Sequence, residues 1–189
     1  MRVSAENKRV RVKAIAGTHV VLMAMDVSES ARAGLRGFAI KRGLDGGPQT
    51  WLKGIKYFKD TVPHPNPGDE YSSREQPLQS FLWSDYAAAP GRKYDFTIVP
   101  LYGEPKFLQE RDALSFSIGT EAEDDGHHGV WFNRGAIASH AFATEFHNKQ
   151  LTDAMVNDVG DDGALHDPEV AWLSRGLAEA CLRYINGTA

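Results

Sequence analysis

The amino-acid sequence predicts a mainly β protein, an antiparallel β-sandwich in residues 1–120 followed by two C-terminal α-helices within residues 131–189. Three features carry that expectation. Short stretches in the first 120 residues alternate apolar and polar side chains with a period of two, the repeat of a half-buried strand. Gly- and Pro-containing breaks separate them, which favours a sandwich over a sheet wound with helices. After residue 130 the apolar spacing changes to three and four, the repeat of a helix.

Arg9 to Ala16 reads R-V-R-V-K-A-I-A. It places Val10, Val12 and Ala14 on one face of a strand and Arg9, Arg11 and Lys13 on the other. Past a break at Gly17-Thr18, His19 to Asp26 continues as a second strand. Residues 28–36 form a polar connection, and Gly37 to Ile40 reads as another short strand. Residues 51–82, rich in aromatics and turn residues, are expected to be a long surface loop held by those aromatics, with its Pro-rich part at 60–77. Pro63, Pro65 and Pro67 each lack a backbone donor and restrict the residue before them, which bars this run from a central strand. Gln79 to Tyr86 forms a strand, Pro90-Gly91 supplies a turn, and Tyr94 to Gly103 returns with Tyr94, Phe96, Ile98 and Pro100 on one side. Tyr94 suits a buried corner anchor whose hydroxyl satisfies backbone across the turn. Leu114 to Ile118 closes the set. The expected fold is a β-sandwich of the fibronectin type III kind.

Residues 121–130 read as an acidic and His-containing linker. Beyond it, Asn133 is expected to cap a helix running to about Lys149. Asp167-Pro168 starts a second helix, because Asp accepts from exposed amides and Pro fits the first turn. Its apolar stripe is Leu173, Leu177, Cys181 and Tyr184-Ile185, ending at Asn186-Gly187.

With 42% hydrophobic and 24% charged residues, the composition is that of a globular chain rather than a disordered one. The net charge of −4 gives no overall pull toward nucleic acid, but it is unevenly spread: residues 1–60 hold 12 Lys+Arg against 5 Asp+Glu, and the remainder 9 against 20. Such asymmetry steers a polyanion to one face or lets the two parts attract one another. A single cysteine, Cys181, excludes an internal disulfide and fits a reducing compartment. No apolar run of signal-peptide length opens the chain and no 18-residue apolar stretch occurs, so a cytoplasmic location without a membrane span is expected.

Four stretches carry a family resemblance: F-L-W-S-D-Y (81–86), P-G-R-K-Y-D-F-T-I-V-P-L-Y-G (90–103), F-N-R-G-A-I-A-S-H-A-F (132–142) and W-L-S-R-G-L-A-E-A (172–180). Together they resemble the region that precedes the catalytic domain in certain bacterial phospholipase D-like proteins. The resemblance implies an accessory module that partners a phospholipase D-like catalytic domain or subunit. In that family, phosphodiester chemistry depends on two H-x-K-x(4)-D motifs, whose His residues act as nucleophile and acid while Lys binds phosphate. The near-match His147-Asn148-Lys149 places Ala154 where the Asp belongs, with Asp153 one position early. No catalytic residue therefore carries over.

Other residues offer chemistry of their own. Arg9, Arg11 and Lys13 form a positive row at strand spacing, suited to phosphates of a nucleic acid or other polyanion, or to the solvated face of an edge strand. His127 and His128, beside four acidic residues, offer nitrogen and oxygen ligands to a transition metal. Asp158 to Glu169 can be laid on a calcium loop, with Asp158, Asp162 and Glu169 as ligands, although Gly160, His166 and Pro168 fit it poorly. No metal or cofactor is expected. Trp83, Tyr86, Tyr94, Phe96 and Tyr102 suit either a stacking platform or core packing. Arg134 and Arg175, each expected early in a helix where a cation opposes the dipole, suit an interface, with Trp131 and Trp172, or an ordinary salt bridge, with the two tryptophans docking the helices. The competing reading is a stand-alone hydrolase using His127, His128 or His147.

Overall fold

The computed structural model describes residues 1–134, 139–147, 149–160 and 163–187. They divide into two compact units, Met1–Glu123 and Asp124–Ala189.

The first unit is an antiparallel β-sandwich. Its first sheet holds β1 (Arg2–Glu6), β2 (Val10–Ala16), β3 (Val21–Val27) and β8 (Leu82–Asp85), in that spatial order. The second holds β5 (Thr50–Trp51), β4 (Leu35–Leu44), β9 (Lys93–Tyr102) and β10 (Gln109–Glu110) in order, with β11 (Leu114–Gly119) also paired to β9. A separate two-stranded ribbon joins β6 (Lys53–Gly54) to β7 (Tyr71–Ser72). Val10, Val12, Ala14 and Ala16 alternate buried with exposed Arg11, Lys13 and Ile15, so the period-two pattern decides which face meets the core. Opposite them, Phe38, Ile40, Phe96, Ile98 and Ile118 fill the space between the sheets.

β4 and β9 differ in detail from the expected strands. β4 is longer than Gly37–Ile40 and begins with a register shift between Leu35 and Gly37. β9 is buried on both faces toward its end, where Val99 and Leu101 join Ala39 in a second small cluster flanked by Trp51 and Leu108. Pro100 lies inside β9 although that strand is central. It sits opposite Phe38, whose N–H and C=O both pair with Leu78 instead. The Pro100 nitrogen therefore faces the gap between β10 and β11, where no ladder bond is required of it, while its C=O accepts from Arg111 N–H at 3.1 Å.

The Pro-rich segment is held by polar pins as well as by the Tyr57–Tyr71 edge contact at 5.5 Å. Buried Gln76 accepts from Phe58 N–H at 2.7 Å and donates to Thr61 Oγ1 at 2.7 Å. The Ser73 hydroxyl accepts from Ile40 N–H at 3.2 Å, fixing the segment to β4.

Tyr94 is a corner anchor. It is buried at the start of β9, and its hydroxyl accepts from Ala89 N–H at 2.7 Å across the Pro90-Gly91 turn. Thr120 secures the same turn, donating to Ala89 O and accepting from Arg92 N–H. Tyr94→Phe strands the Ala89 donor, and a loss of about 1–2 kcal/mol is expected in chemical unfolding.

The second unit contains four described helices rather than two: α1 (His140–Phe146), α2 (Asp153–Val156), α3 (Pro168–Ser174) and α4 (Leu177–Gly187). Ser139, not Asn133, caps α1, its hydroxyl accepting from Phe142 N–H. Asp167-Pro168 starts α3, with the Asp carboxylate accepting from Glu169 and Val170 N–H. The expected continuation stops where Arg175 and Gly176 both take positive φ, 51° and 79°, which separates α3 from α4. No described helix is long and apolar enough to cross a membrane.

Candidate interaction surfaces

The outer face of the first sheet carries the positive row, and pairing decides what remains of it. Arg9 meets Asp112 at 3.3 Å, and Arg11 meets Asp26 at 3.2 Å, with Arg32 on the other Asp26 oxygen at 3.6 Å. Such exposed pairs stabilise little, but they compete with a phosphate for the same guanidinium. Lys13 has no carboxylate within 4.0 Å among the described residues. The row is therefore part of a mixed-charge face rather than a uniform cationic track.

His127 and His128 lie on a tight turn, closed by a bridge between Asp124 and Gly129. The Asp125 carboxylate accepts from the backbone N–H of both histidines, at 2.9 and 2.7 Å, which holds its carboxyl below the ordinary range. Both imidazoles thus share an acidic turn, yet that carboxylate is occupied by backbone donors.

The stretch laid on a calcium loop is described at 158–160 and 163–169. Val159 bridges Leu165, and His166 Nδ1 approaches Asp158 Oδ1 at 3.4 Å. Glu169 is buried and accepts from Lys149 Nζ at 2.6 Å. Asp162 lies outside the described residues. Among the described residues, no group of three or more His, Cys, Asp and Glu side chains is gathered as a metal site.

Lys149 also belongs to the near-match with the phosphodiesterase motif. Its ammonium is engaged by Glu169, Asp153 opens α2, and His147 terminates α1 in a left-handed conformation. The pair has a pH signature. Lys149 holds the Glu169 carboxyl below its ordinary value of 4.5, so the stabilisation is present above that value and disappears as pH falls through the lower folded value. Glu169→Gln is expected to flatten the acid limb of the helical unit's stability profile, monitored by circular dichroism.

Trp172 is the centre of the second unit. Its ring meets Phe142 at 5.9 Å and Phe146 at 5.6 Å, and Phe142 is fully buried. Arg134 stacks on the same indole with its guanidinium carbon 3.9 Å from the centroid and donates Nε–H to Trp172 O at 3.0 Å. Burial and the neighbouring Arg175 charge push the Arg134 guanidinium down from its ordinary value. Neither arginine is early in a helix: Arg134 precedes α1, and Arg175 ends α3, where a cation complements the dipole. Trp131 lies under Arg183 at 5.6 Å. The stripe of α4 is not core, because Cys181 is exposed and Tyr184 and Ile185 are 75% and 61% exposed.

No protein-family model and no curated protein matches the chain. A solved structure of a computer-redesigned β-sandwich protein is similar over 68% of this chain and 99% of its own, at 14% identity and a TM-score of 0.39.

The aromatics of β9 and of the turn after β8 do not make one platform: Tyr94, Phe96 and Tyr102 are buried, whereas Tyr86 is exposed. Sequence reasoning missed the Arg42–Asp85 pair, which joins the two sheets at 2.8 Å. Its signal was an arginine two residues beyond Ile40, on the face that Phe38 and Ile40 turn to the core.

Proposed function

We propose that the chain is a noncatalytic accessory module that braces, or orients substrate for, a phospholipase D-like phosphodiesterase, and that its sandwich is of the fibronectin type III kind. The observation that carries the reading is where the four family-like stretches fall. Residues 81–86 contain β8, residues 90–103 contain the Tyr94 corner and β9, and residues 132–142 and 172–180 supply Arg134, Phe142 and Trp172. Each stretch contributes framework rather than a reactive cluster. The corner tyrosine and the crossings of the chain from the first sheet to the second, from β3 to β4 and from β8 to β9, support the sandwich assignment, since immunoglobulin-like and fibronectin type III domains share that architecture.

The partner is a catalytic unit with two complete H-x-K-x(4)-D motifs, and the Arg134–Trp172 pair, with Arg175 and Trp131, belongs to its contact surface. The test begins with the genomic reading frame and its neighbours, where such a unit is expected. Calorimetry of the chain against that unit is expected to give binding that Arg134→Ala weakens. Absence of the motifs, or no binding to the unit they define, rejects the proposal. The polyanion alternative gains no comparable observation, because Arg9 and Arg11 are already paired.

A further inference from the structure

We infer that the outer face of the first sheet docks a polypeptide partner whose contact surface is apolar at its centre and acidic at its rim. This inference stands apart from the phospholipase D-like reading. Outward side chains form three rows across the sheet: Arg2, Ile15, Leu22 and Ser84; Ser4, Lys13, Ala24 and Leu82; and Glu6, Arg11 and Asp26. Ile15 and Leu22 are direct cross-strand neighbours, as are Ala24 and Leu82, and the two pairs lie in adjacent rows. Ile15 remains 45% exposed and Leu82 55% exposed, so an apolar patch spans β2, β3 and β8.

Charge is sorted along the same face. In the third row Asp26 is taken by Arg11 and Arg32, which leaves that end internally balanced. At the apolar end the Met1 ammonium and Glu121 pair with each other, and the remaining outward charges of the rows are Arg2 and Lys13, both positive and both exposed. An apolar centre with a charged margin is the anatomy of a protein interface, and complementarity assigns carboxylates to the partner. A second copy offers the same two cations, and its own outward carboxylates, Glu6 and Asp26, lie in the row where Arg11 and Arg32 balance them. Two cations on a flat pleated face are also too few to hold an anionic bilayer, where each contributes only about 1 kcal/mol.

The test is nuclear magnetic resonance titration of the whole chain with a synthetic amphipathic peptide bearing a leucine stripe bordered by glutamates. Shifts are expected at Lys13, Ile15, Leu22, Ala24 and Leu82. Lys13→Glu and Ile15→Ser, each on an exposed position and verified as folded by thermal melting, are expected to weaken binding about tenfold. A peptide with lysines in place of the glutamates is expected to bind at least about tenfold more weakly. Equal binding of both peptides, shifts centred elsewhere, self-association through this face, or binding to phosphatidylserine vesicles in place of the peptide overturns the inference.

Discussion

Gly37→Ala is expected to lower the stability of the sandwich by about 3 kcal/mol, moving its thermal midpoint by roughly 10 °C. Gly37 holds φ at +141°, a conformation that L side chains rarely adopt, immediately after the register shift in β4. A Cβ there would lie 2.6 Å from Leu78 O and 2.9 Å from Pro77 Cβ. Leu78 has little freedom to retreat, since it exchanges hydrogen bonds with Phe38 at 2.9 and 3.0 Å. Relief of the clash would break that pair and shift Phe38, one of the largest fully buried side chains. Gly91→Ala is the control: φ is +65°, but nothing lies within 4 Å of the added carbon. A loss of about 1 kcal/mol is expected there, from backbone conformation alone. Equal effects of the two substitutions in urea unfolding would remove the steric part of this account.

Asp85→Ala is expected to destabilise by about 3 kcal/mol, whereas Arg42→Met with Asp85→Leu together should change stability by less than about 1 kcal/mol. Arg42 Nη1 lies 3.0 and 2.8 Å from the two Asp85 oxygens, and Ala87 N–H donates to the same carboxylate at 3.1 Å. Asp85 is 5% exposed, so its removal leaves Arg42 at the margin of the core without its counter-charge. Arg42 itself is 26% exposed, which places the loss at the low end for a broken buried pair. Replacing both groups with apolar side chains removes the desolvation cost along with the attraction. The four unfolding free energies of a double-mutant cycle on Arg42 and Asp85 give the coupling directly, and at least about 2 kcal/mol is expected. Strict additivity would mean that the two sheets are not joined through this pair.

Strands with clean alternation were legible from sequence because one face is buried and the other wet. Val10 to Ala16 is the plainest case, and Leu114 to Ile118 follows the same rule. Legibility failed where tertiary context overrode that rule. Arg42 points a charge toward the core, which hid the second half of β4. Val99 and Leu101 are covered on the outer face, which blurred the end of β9. The strands at Lys53–Gly54 and Tyr71–Ser72 are too short to show a period, and their placement depends on Ser73 and Gln76 meeting distant backbone.

In the second unit, the start signal Asp167-Pro168 is local chemistry and was readable. The break at Arg175-Gly176 interrupts a stripe that otherwise continues at helical spacing, so spacing alone ran across it. The interaction surfaces were less legible still. Arg9, Arg11 and Lys13 share a face by periodicity, but whether each is paired depends on Asp112 and Asp26, distant in sequence or on another strand. Ile15, Leu22 and Leu82 become neighbours only through the pairing of β2, β3 and β8.

Hydrolysis of bis(p-nitrophenyl) phosphate by the purified chain tests the absence of self-sufficient chemistry most directly. The account predicts release of p-nitrophenol at the buffer rate, unchanged by His127→Ala, His128→Ala or His147→Ala. Turnover above that rate which disappears with any one of these replacements would contradict it.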